Sequence, residues 1–336
     1  MKFFCLFLLP AALAADLAPH VGTVDYYGLR KIPVNRIQKV VGVNAGDPLP
    51  PSKGDLEDRL EKIPGVVLAR VQVVCCDGPD GMLFVGIEER GAPHFALRSA
   101  PTGDVSLPPE IEESYRELVK DVEYAARRGS TAEDLTRGHP LAADADARAI
   151  QESFVDFAGH HLAQIREVLR NSADGGQRSL AATLIGYAPD KTVVVNDLEY
   201  AMQDPDEDVR ASAMGALNAI AILAAKQADL GIHISPTWLV EMLNSVTLSD
   251  RNGATRALIN LTDSRPDAIL ELMRERALSS LVEMARWNSL RYALPAFILL
   301  GRVAGIDEQQ IQESWTKGDR GPMIMQVLRS SKKKRH

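Results

Sequence analysis

The stretch that decides the fold of most of this chain is Asp204-Pro205-Asp206-Glu207-Asp208-Val209-Arg210, which continues as Ala211-Ser212-Ala213-Met214-Gly215-Ala216-Leu217. Its acidic first half predicts a turn at a helix N-terminus, because the helix dipole favours carboxylates there. Its second half predicts a helix whose small residues let a neighbouring helix approach closely. The composition agrees, since aromatic residues make up only 5% of the chain while Ala and Leu are plentiful. The pattern therefore indicates helices packed on helices.

An arginine repeats in a comparable frame along the second half of the chain. Arg178, Arg210, Arg251 and Arg291 follow one another at intervals of 32, 41 and 40 residues (178 to 210, 210 to 251, 251 to 291). Apolar residues follow each arginine three and seven positions later: Ala181 and Ile185, Ala213 and Leu217, Ala254 and Leu258, Leu294 and Ile298. Intervals of this length are typical of two-helix repeats that stack in series.

The segment from Asp204 to Leu217 resembles the second helix of a HEAT repeat, and the HEAT-like resemblance covers residues 148–330. It implies an all-α helical solenoid of about four or five pairs, whose curved surface binds extended polypeptides or other proteins. The arginines have two interpretations: a charge ladder for a partner, or contacts within and between repeats to acidic turns. The second is the favoured interpretation.

The first helices of the pairs are predicted between the arginine segments. Their apolar faces are Val195, Leu198 and Met202; Leu239, Met242, Leu243 and Val246; and a longer helix from Ile269 to Met284. Ser235-Pro236 predicts a helix start, since serine caps a helix and proline fits its first turn. A further helix upstream is predicted from Ile150, Phe154, Phe157, His161 and Ile165.

Residues 20–93 follow a different pattern, in the order β-α-α-β-β. A β-rich run from Val21 to Tyr27 ends at Gly28, and Ser52 with Asp55 resembles a capping box at the start of the second helix. Two strands follow: Ala69, Val71, Val73 and Cys75 point one way in the first, and Leu83, Val85 and Ile87 alternate in the second. The two helices can cover one apolar face of the sheet.

This segment resembles a POTRA domain. The resemblance rests on the strand that ends in Gly28, on Gly46-Asp47-Pro48-Leu49, on Leu60 followed by Pro64-Gly65-Val66, and on Val85-Gly86-Ile87-Glu88-Glu89-Arg90. It implies contact with polypeptides, often by addition of a strand to an exposed sheet edge. The edge expected in such a fold is the strand from Leu68 to Val74, with Leu68, Arg70, Val71, Gln72 and Val73 as the candidate protein-binding residues. The alternative is a small α/β domain that closes the end of the helical array.

Residues 94–147 are predicted to be a linker with one amphipathic helix, formed by Ile111 to Arg128. Prolines and small polar residues before the helix indicate an extended connection. The polar stretch from Ser130 to Asp146 is expected to be a loop. Residues 331–336 form a basic tail, interpreted either as a solvated end or as a peripheral contact with anionic lipid or an acidic partner.

The first fifteen residues are typical of a signal peptide. Lys2 precedes the apolar run from Phe3 to Leu9, and Ala12-Leu13-Ala14 fits a cleavage site. The alternative is a buried N-terminal helix. We therefore expect an exported bacterial protein, periplasmic or secreted, without a transmembrane span. Cys75 and Cys76 would be the cysteines of the mature chain, and they are interpreted as structural because adjacent strand residues face opposite ways.

Charge and motifs exclude several classes of function. A formal net charge of −7 argues against nucleic acid as the main partner, because phosphate binding needs a basic surface. The chain has no recognisable motif of a hydrolase, a phosphate-binding loop or a zinc site, so neither catalysis nor a cofactor or metal is expected. His160-His161 with Glu167 is the one candidate metal cluster, and the favoured interpretation is His161 packed inward and His160 in solvent.

The function predicted from the sequence is a non-catalytic, extracytoplasmic scaffold or adaptor that binds other proteins. Two alternatives stay open. One is an envelope or outer-membrane assembly factor that binds unfolded polypeptides through the POTRA-like sheet edge. The other is an enzyme of unrecognised type.

Overall fold

The structure of this chain is a computed structural model that describes residues 20–77, 80–94 and 96–333. The predicted signal peptide, residues 1–15, lies outside the described residues. Contacts between residues divide the chain into two compact units, Met1–Arg90 and Gly91–His336. We call them the N-terminal unit and the helical unit.

The N-terminal unit contains a three-stranded mixed sheet. Its strands are β1 (Val21–Tyr27), β2 (Val66–Asp77) and β3 (Asp80–Glu89), in the order β1-β3-β2. The central strand β3 pairs parallel with β1 and antiparallel with β2. The predicted strand order along the chain is therefore present, and β2 is an edge strand as expected. Cys75 and Cys76 belong to β2, but their side chains lie outside the described part.

Two helices, α1 (Val34–Val41) and α2 (Lys53–Glu61), separate β1 from β2. The Oγ atom of Ser52 accepts the N–H of Asp55 at 3.2 Å, which confirms the predicted cap of α2. Gly42 ends α1 with φ of 65°, a left-handed conformation that glycine adopts without a Cβ penalty. Both helices pack on one face of the sheet, and their apolar side chains meet those of the strands: Val21, Ile37, Val41, Leu56, Leu60, Ile63, Val66, Ala69, Val71, Leu83, Val85 and Ile87.

The last residue of β3 fixes the turn that follows β1. The carboxylate of Glu89 accepts the backbone N–H groups of Arg30, Lys31 and Ile32 at 2.8 to 3.0 Å. Glu89 is only 4% exposed. Burial raises its pKa, but the three backbone hydrogen bonds and the charge of Lys31 lower it, and the net direction is downward.

We expect Glu89→Gln to lower the free energy of unfolding of the N-terminal unit by about 1.5–3 kcal/mol at pH 7, the range for hydrogen bonds to a charged group. The carboxylate has a lower pKa in the folded state, so its stabilisation is present above the unfolded pKa of about 4.3 and is lost as the pH falls through the folded value. The difference between the two proteins should therefore shrink below about pH 4. Hydrogen exchange of the β1 and β3 amides across this pH range measures it, and a difference that stays constant would contradict this role.

The helical unit consists mainly of helices that begin at side-chain caps. Asp144, Asp174, Asp206, Ser235 and Asp307 each accept backbone N–H groups in the first turn of a helix. The helices are α3 (Pro109–Arg127), α4 (Ala145–Asn171), α5 (Gly175–Gly186), α6 (Val195–Ala201), α7 (Glu207–Lys226), α8 (Pro236–Met242), α9 (Leu248–Leu261), α10 (Asp267–Arg276), α11 (Leu278–Met284), α12 (Leu290–Val303), α13 (Glu308–Thr316) and α14 (Gly321–Lys333).

Alternate helices of this unit pack against each other in chain order. Helix α5 contacts α7, α7 contacts α9, and α9 contacts α12, while α6, α8 and α11 pack beside the helix that follows each of them. Small residues permit the close approach, since a Cβ added to Gly186 on α5 would lie 2.7 Å from the Cβ of Ala216 on α7. The longer helices α5, α7, α9 and α12 therefore contact one another in series, and the shorter helices α6, α8 and α11 pack beside them; we call the first set the layer of second helices.

Three of the four aligned arginines are buried between successive pairs. The guanidinium of Arg178 binds Asp204 at 2.8 and 2.9 Å, and that of Arg210 binds Asp250 at 2.9 and 3.0 Å. Arg251 binds Glu283 at 3.0 Å. All three are at most 3% exposed. These three arginines therefore contact acidic residues of other elements and are not exposed as a charge ladder; Asp204 lies in a turn, whereas Asp250 and Glu283 lie on helices α9 and α11.

Each buried arginine also binds the turn that precedes its own helix. Arg178, Arg210 and Arg251 donate to the backbone carbonyls of Ser172, Asp204 and Ser245 at 3.0, 2.9 and 2.5 Å. Every one of these carbonyls lies six residues upstream of its arginine. We call each set of contacts an arginine clasp. A clasp joins one turn to an acidic residue further along the chain.

The fourth arginine departs from this frame. Arg291 is exposed, because the buried positions in the first half of α12 are Ala293, Ala296 and Phe297 and put residue 291 on the outer side. The buried arginine of α12 is Arg302, whose guanidinium binds the carbonyl of Ile259 at 2.6 Å. The sequence frame therefore holds for three helices and is wrong for the fourth.

The predicted long helix from Ile269 to Met284 is also divided in two. Ala277 has φ of −128° and separates α10 from α11. Ala277 is fully buried, so packing against the rest of the unit imposes this break on a residue that otherwise favours helix.

Residues 94–147 belong with the helical unit by their contacts. The predicted helix is present as α3, and the extended segment before it binds helix ends: the N–H of Arg98 donates to the carbonyl of Gln203, and Gly103 pairs with Ser172. The expected loop from Ser130 to Asp146 contains two short paired strands, β4 (Glu133–Asp134) and β5 (Leu141–Ala142). Part of the predicted basic tail, up to Lys333, continues α14, and residues 334–336 lie outside the described ones.

One helix among the described residues, α7, is long and apolar enough to span a membrane by length and composition alone. Its mean hydropathy over 18 residues is 1.3, and 61% of that stretch is buried inside the fold. A core helix of a soluble protein meets the same criteria. The contacts of α7 with α5 and α9 agree with a core position.

Candidate functional site

A groove of about 290 Å³ lies between α7 and α9 on the layer of second helices. Such a volume is at the lower end of the range for ligand pockets, about 300 Å³. Two sets of residues spaced at helical intervals form its walls: Ala211, Met214, Gly215 and Asn218 on α7, and Ser249, Asn252, Gly253 and Arg256 on α9. A third side comes from Glu133, Leu135 and Pro140.

The glycines leave room in the groove. A Cβ added to Gly215 would meet no atom within 4 Å, so this backbone borders open space. A Cβ at Gly253 would lie 3.1 Å from the side chain of Met214, so the two helices are close at that point. The groove is therefore a gap left by small residues between two closely packed helices.

The side chains of Ser249 and Arg256 in the groove have no partner among the described residues, whereas that of Asn218 has one. The Oγ atom of Ser249 is buried and makes no hydrogen bond there. Arg256 is exposed and forms no ion pair within the described part of the chain, in contrast to Arg178, Arg210 and Arg251. The side-chain amide of Asn218 already makes one hydrogen bond, since its Oδ1 atom accepts from Nδ2 of Asn260 at 2.9 Å. These groups can bind the polar atoms of a ligand.

The third side of the groove is the segment 133–142, which we call the strap. It is anchored to α4 and α5: the hydroxyl of Tyr187 donates to the carbonyl of Pro140 at 3.1 Å, and the N–H of Ala142 donates to Oε1 of Gln151 at 2.6 Å. His139 and Leu141 are buried at 5% and 0% exposure. The strap is therefore packed into the unit along much of its length.

A buried lysine holds the middle of the strap. Nζ of Lys191 donates to the carbonyls of Gly186 and Ala188 at 2.6 and 2.7 Å, at the C-terminal end of α5, and lies 3.2 Å from Nδ1 of His139. The negative end of the helix dipole favours a donor at this place. With Nδ1 as acceptor, His139 carries its proton on Nε2, an atom that has no partner among the described residues.

Burial perturbs the titration of this cluster. Burial, together with the charge of Arg137, lowers the pKa of Lys191 to about 7. Burial, together with the charges of Lys191 and Arg137, lowers the pKa of His139 to about 4, so this imidazole is neutral at neutral pH. Burial also raises the pKa of Tyr187. Because Lys191 is only 4% exposed, we assign it to anchoring the strap and not to chemistry on a ligand.

The residues predicted to bind protein, Leu68, Arg70, Val71, Gln72 and Val73, all lie on the edge strand β2. Ala69 and Val71 face the helices and are buried, while Val73 is 48% exposed. Leu68, Arg70 and Gln72 are half-buried on the opposite face. The structure therefore brings the five residues together on an edge, with their side chains divided between two faces.

The backbone of this edge is already partly occupied. The N–H of Ala69 donates to Oε1 of Glu61 at 3.1 Å, and the N–H of Val71 donates to Oε1 of Glu57 at 2.7 Å. Nη1 of Arg70 donates to the carbonyl of Ala69 at 2.9 Å. A strand added at this position would have to displace these side chains.

The candidate metal cluster has a different geometry from the one expected. His161 is exposed and stacks on Phe157 at 4.6 Å, so the prediction that it packs inward is wrong. The cause is a kink in α4, since His161 has non-helical φ and ψ of −119° and 19°. Nδ1 of His160 lies 2.8 Å from the carbonyl of Asp156. Across the described ranges, no group of three or more His, Cys, Asp or Glu side chains could hold a metal ion.

Sequence reasoning located the β2 edge but missed the groove and the strap. The lining residues Ala211, Met214 and Asn218 on α7, and Ser249, Asn252 and Arg256 on α9, stand three or four positions apart, and this signal was present in the sequence. The strap carried no such signal, because its contacts with Tyr187 and Lys191 join residues 47 and 52 positions apart in the chain. No protein-family model matches this chain, and no curated protein matches it.

Proposed function

We propose that this protein is a non-catalytic scaffold that binds an extended polypeptide in the groove between α7 and α9. The observation that carries the proposal is the polar lining of that groove, formed by Ser249, Asn252 and Arg256 on helices that pack in series. The buried Oγ atom of Ser249 has no hydrogen-bond partner among the described residues. The HEAT-like solenoid belongs to the same proposal. The packing of α5, α7, α9 and α12 in chain order supports it.

The charges of the helical unit support a binding role for this layer. The guanidinium groups of Arg178, Arg210 and Arg251 are buried in clasps, so they stabilise the stack and are not offered to a partner. Arg256 is the exposed guanidinium of the groove and suits an acidic group of the ligand. Ser249 and Asn252 suit a polypeptide backbone, because hydroxyl and amide side chains both donate and accept hydrogen bonds.

The proposal is tested by a substitution that fills the groove and leaves the fold intact. We expect Gly215→Leu to fold normally and to be stabilised slightly, because glycine in a helix is about 0.8–1 kcal/mol less favourable than alanine. Its side chain would occupy the groove, since nothing lies within 4 Å of the added Cβ. Proteins that copurify with the tagged wild-type chain should be lost from this variant.

Gly54→Leu is the matched control, because Gly54 is an exposed helical glycine whose added Cβ also meets nothing within 4 Å. It should retain the wild-type set of copurifying proteins. If Gly215→Leu retains that set as well, the groove is not the binding site. Circular dichroism of both variants verifies the fold.

A second candidate function is strand addition at β2, as in an assembly factor that handles unfolded polypeptides. The exposure of Val67 (51%) and Val73 (48%) on an edge strand favours it. The carboxylates of Glu57 and Glu61 oppose it at Ala69 and Val71. An extracytoplasmic location remains part of both proposals and rests on the pattern of residues 1–15.

A further inference from the structure

The outer edge of β2 has a regular relation to α2. In a strand, the N–H groups of alternate residues point to the same side, and here those of Ala69 and Val71 point away from β3. Glu57 and Glu61 stand four residues apart on α2, which corresponds to a rise of about 6 Å. Ala69 and Val71 stand two residues apart on β2, a rise of about 6.6 Å. The two carboxylates therefore match two successive outward amides.

The match ends after these two amides. The next outward N–H belongs to Val73, and the residue one turn before Glu57 on α2 is Lys53, which cannot accept a hydrogen bond. Nζ of Lys53 lies 3.9 Å from Glu57 instead. In the described part of the chain, no carboxylate reaches the amide of Val73. As far as the described residues show, the edge is therefore closed at Ala69 and Val71 and uncovered beside Val73.

We propose that Glu57 and Glu61 keep the outer edge of β2 from pairing with β2 of a second copy of this chain. Native proteins block edge strands because unpaired N–H and C=O groups pair readily with another chain. A side chain that accepts a hydrogen bond from the outward N–H blocks the edge without the addition of a further strand. Arg70 adds to the block by donating to the outward carbonyl of Ala69.

The sequence of β2 suits antiparallel pairing with a second copy. A twofold axis at Val71 would place Val71 opposite its copy and Ala69 opposite Val73. The outward N–H and C=O groups of one copy would then face those of the other. Arg70 would then lie beside Gln72, and like charges would not face each other directly. The exposed side chain of Val73 would be covered. Closed twofold dimers with self-complementary surfaces are the commonest homo-oligomers.

The test removes the carboxylates and measures association of the full chain by sedimentation velocity with a thiol reductant present. We expect Glu57→Ala with Glu61→Ala to give a heavier, concentration-dependent species that wild type lacks. Glu57→Gln with Glu61→Gln should resemble wild type, because the amide oxygen of glutamine still accepts the N–H. Asp55→Ala with Asp58→Ala is the control for charge, since it removes two exposed carboxylates from the same helix.

Adding Val73→Pro to the double alanine variant should abolish the heavier species, because proline removes the outward N–H and is tolerated on an edge. A double alanine variant that folds and does not associate would overturn the proposal, as would equal association of the aspartate control. If the double alanine variant does not fold, hydrogen exchange of a single variant tests the proposal instead. In that case Glu57→Ala alone should speed exchange of the Val71 amide at least tenfold and leave Ala69 unchanged, and an unchanged Val71 would overturn the proposal.

Discussion

Asp250→Ala is expected to lower the free energy of unfolding of the helical unit by about 3–5 kcal/mol, the cost of leaving a buried charge without its partner. Asp250 is fully buried and accepts Nε and Nη2 of Arg210 as well as Oγ of Ser245. Without the carboxylate, the guanidinium of Arg210 stays buried with only backbone carbonyls as acceptors. Urea unfolding followed by circular dichroism measures the loss.

Two further variants separate the effect of the buried charge on stability from the effect of packing. Arg210→Met combined with Asp250→Leu should recover most of the loss, because an apolar pair of similar volume avoids the cost of burying charge. Glu152→Ala removes an exposed partner of Arg148 and should change stability by no more than about 1 kcal/mol. A loss for Asp250→Ala as small as that for Glu152→Ala would show that the clasp does not hold neighbouring pairs together.

Gly28→Ala should be the most damaging single-methyl change in the N-terminal unit. Gly28 has φ of 81°, and an added Cβ would lie 2.0 Å from the carbonyl oxygen of Ile87. The left-handed conformation costs an alanine about 1–2 kcal/mol, and a forced overlap in a packed interior adds about 1–3 kcal/mol. We therefore expect faster hydrogen exchange at the amides of β1 and β3 in the full chain.

Gly42→Ala is the matched comparison for this change. Gly42 also has a positive φ, of 65°, but an added Cβ there meets no atom within 4 Å. It should cost only the conformational term, about 1–2 kcal/mol. Equal effects of the two substitutions would mean that the contact of Gly28 with Ile87 adds nothing to the constraint on this residue.

Local signals explain why much of the fold could be predicted. The strand from Val21 to Tyr27, the cap of α2 at Ser52 and the start of α8 at Ser235 depend on neighbouring residues, and each is present in the structure. The acidic turn before α7 is present for the same reason, with Asp206 as the cap. Near neighbours in the sequence determine these features.

The features that sequence reasoning missed depend on distant contacts. Ala277 divides a predicted helix although alanine favours helix, and His161 is turned outward by a kink two residues after Gly159, a signal that sequence reasoning did not use. Arg291 shares the sequence spacing of the clasps but lies on the wrong side of α12. For Ala277 and Arg291, the packing of other elements overrides the local pattern.

The candidate sites also combine features that could be predicted with features that depend on contacts between distant elements. The edge position of β2 was predicted from the family resemblance, but the carboxylates of Glu57 and Glu61 on its amides were not. The spacing of these glutamates on α2 has meaning only when the helix lies antiparallel to β2 at the right distance. The groove likewise depends on two helices, and its lining on α7 and α9 becomes a site only when they pack together.

Binding of a polypeptide between α7 and α9 is tested most directly by photo-crosslinking in living cells. A photoreactive residue at position 252 should capture one contiguous segment of a partner, and the capture should be lost with Gly215→Leu and kept with Gly54→Leu. The same residue at the exposed position 271 on α10 should capture nothing comparable. Capture at 271 equal to that at 252, or capture at 252 that persists with Gly215→Leu, would contradict a binding groove on the layer of second helices.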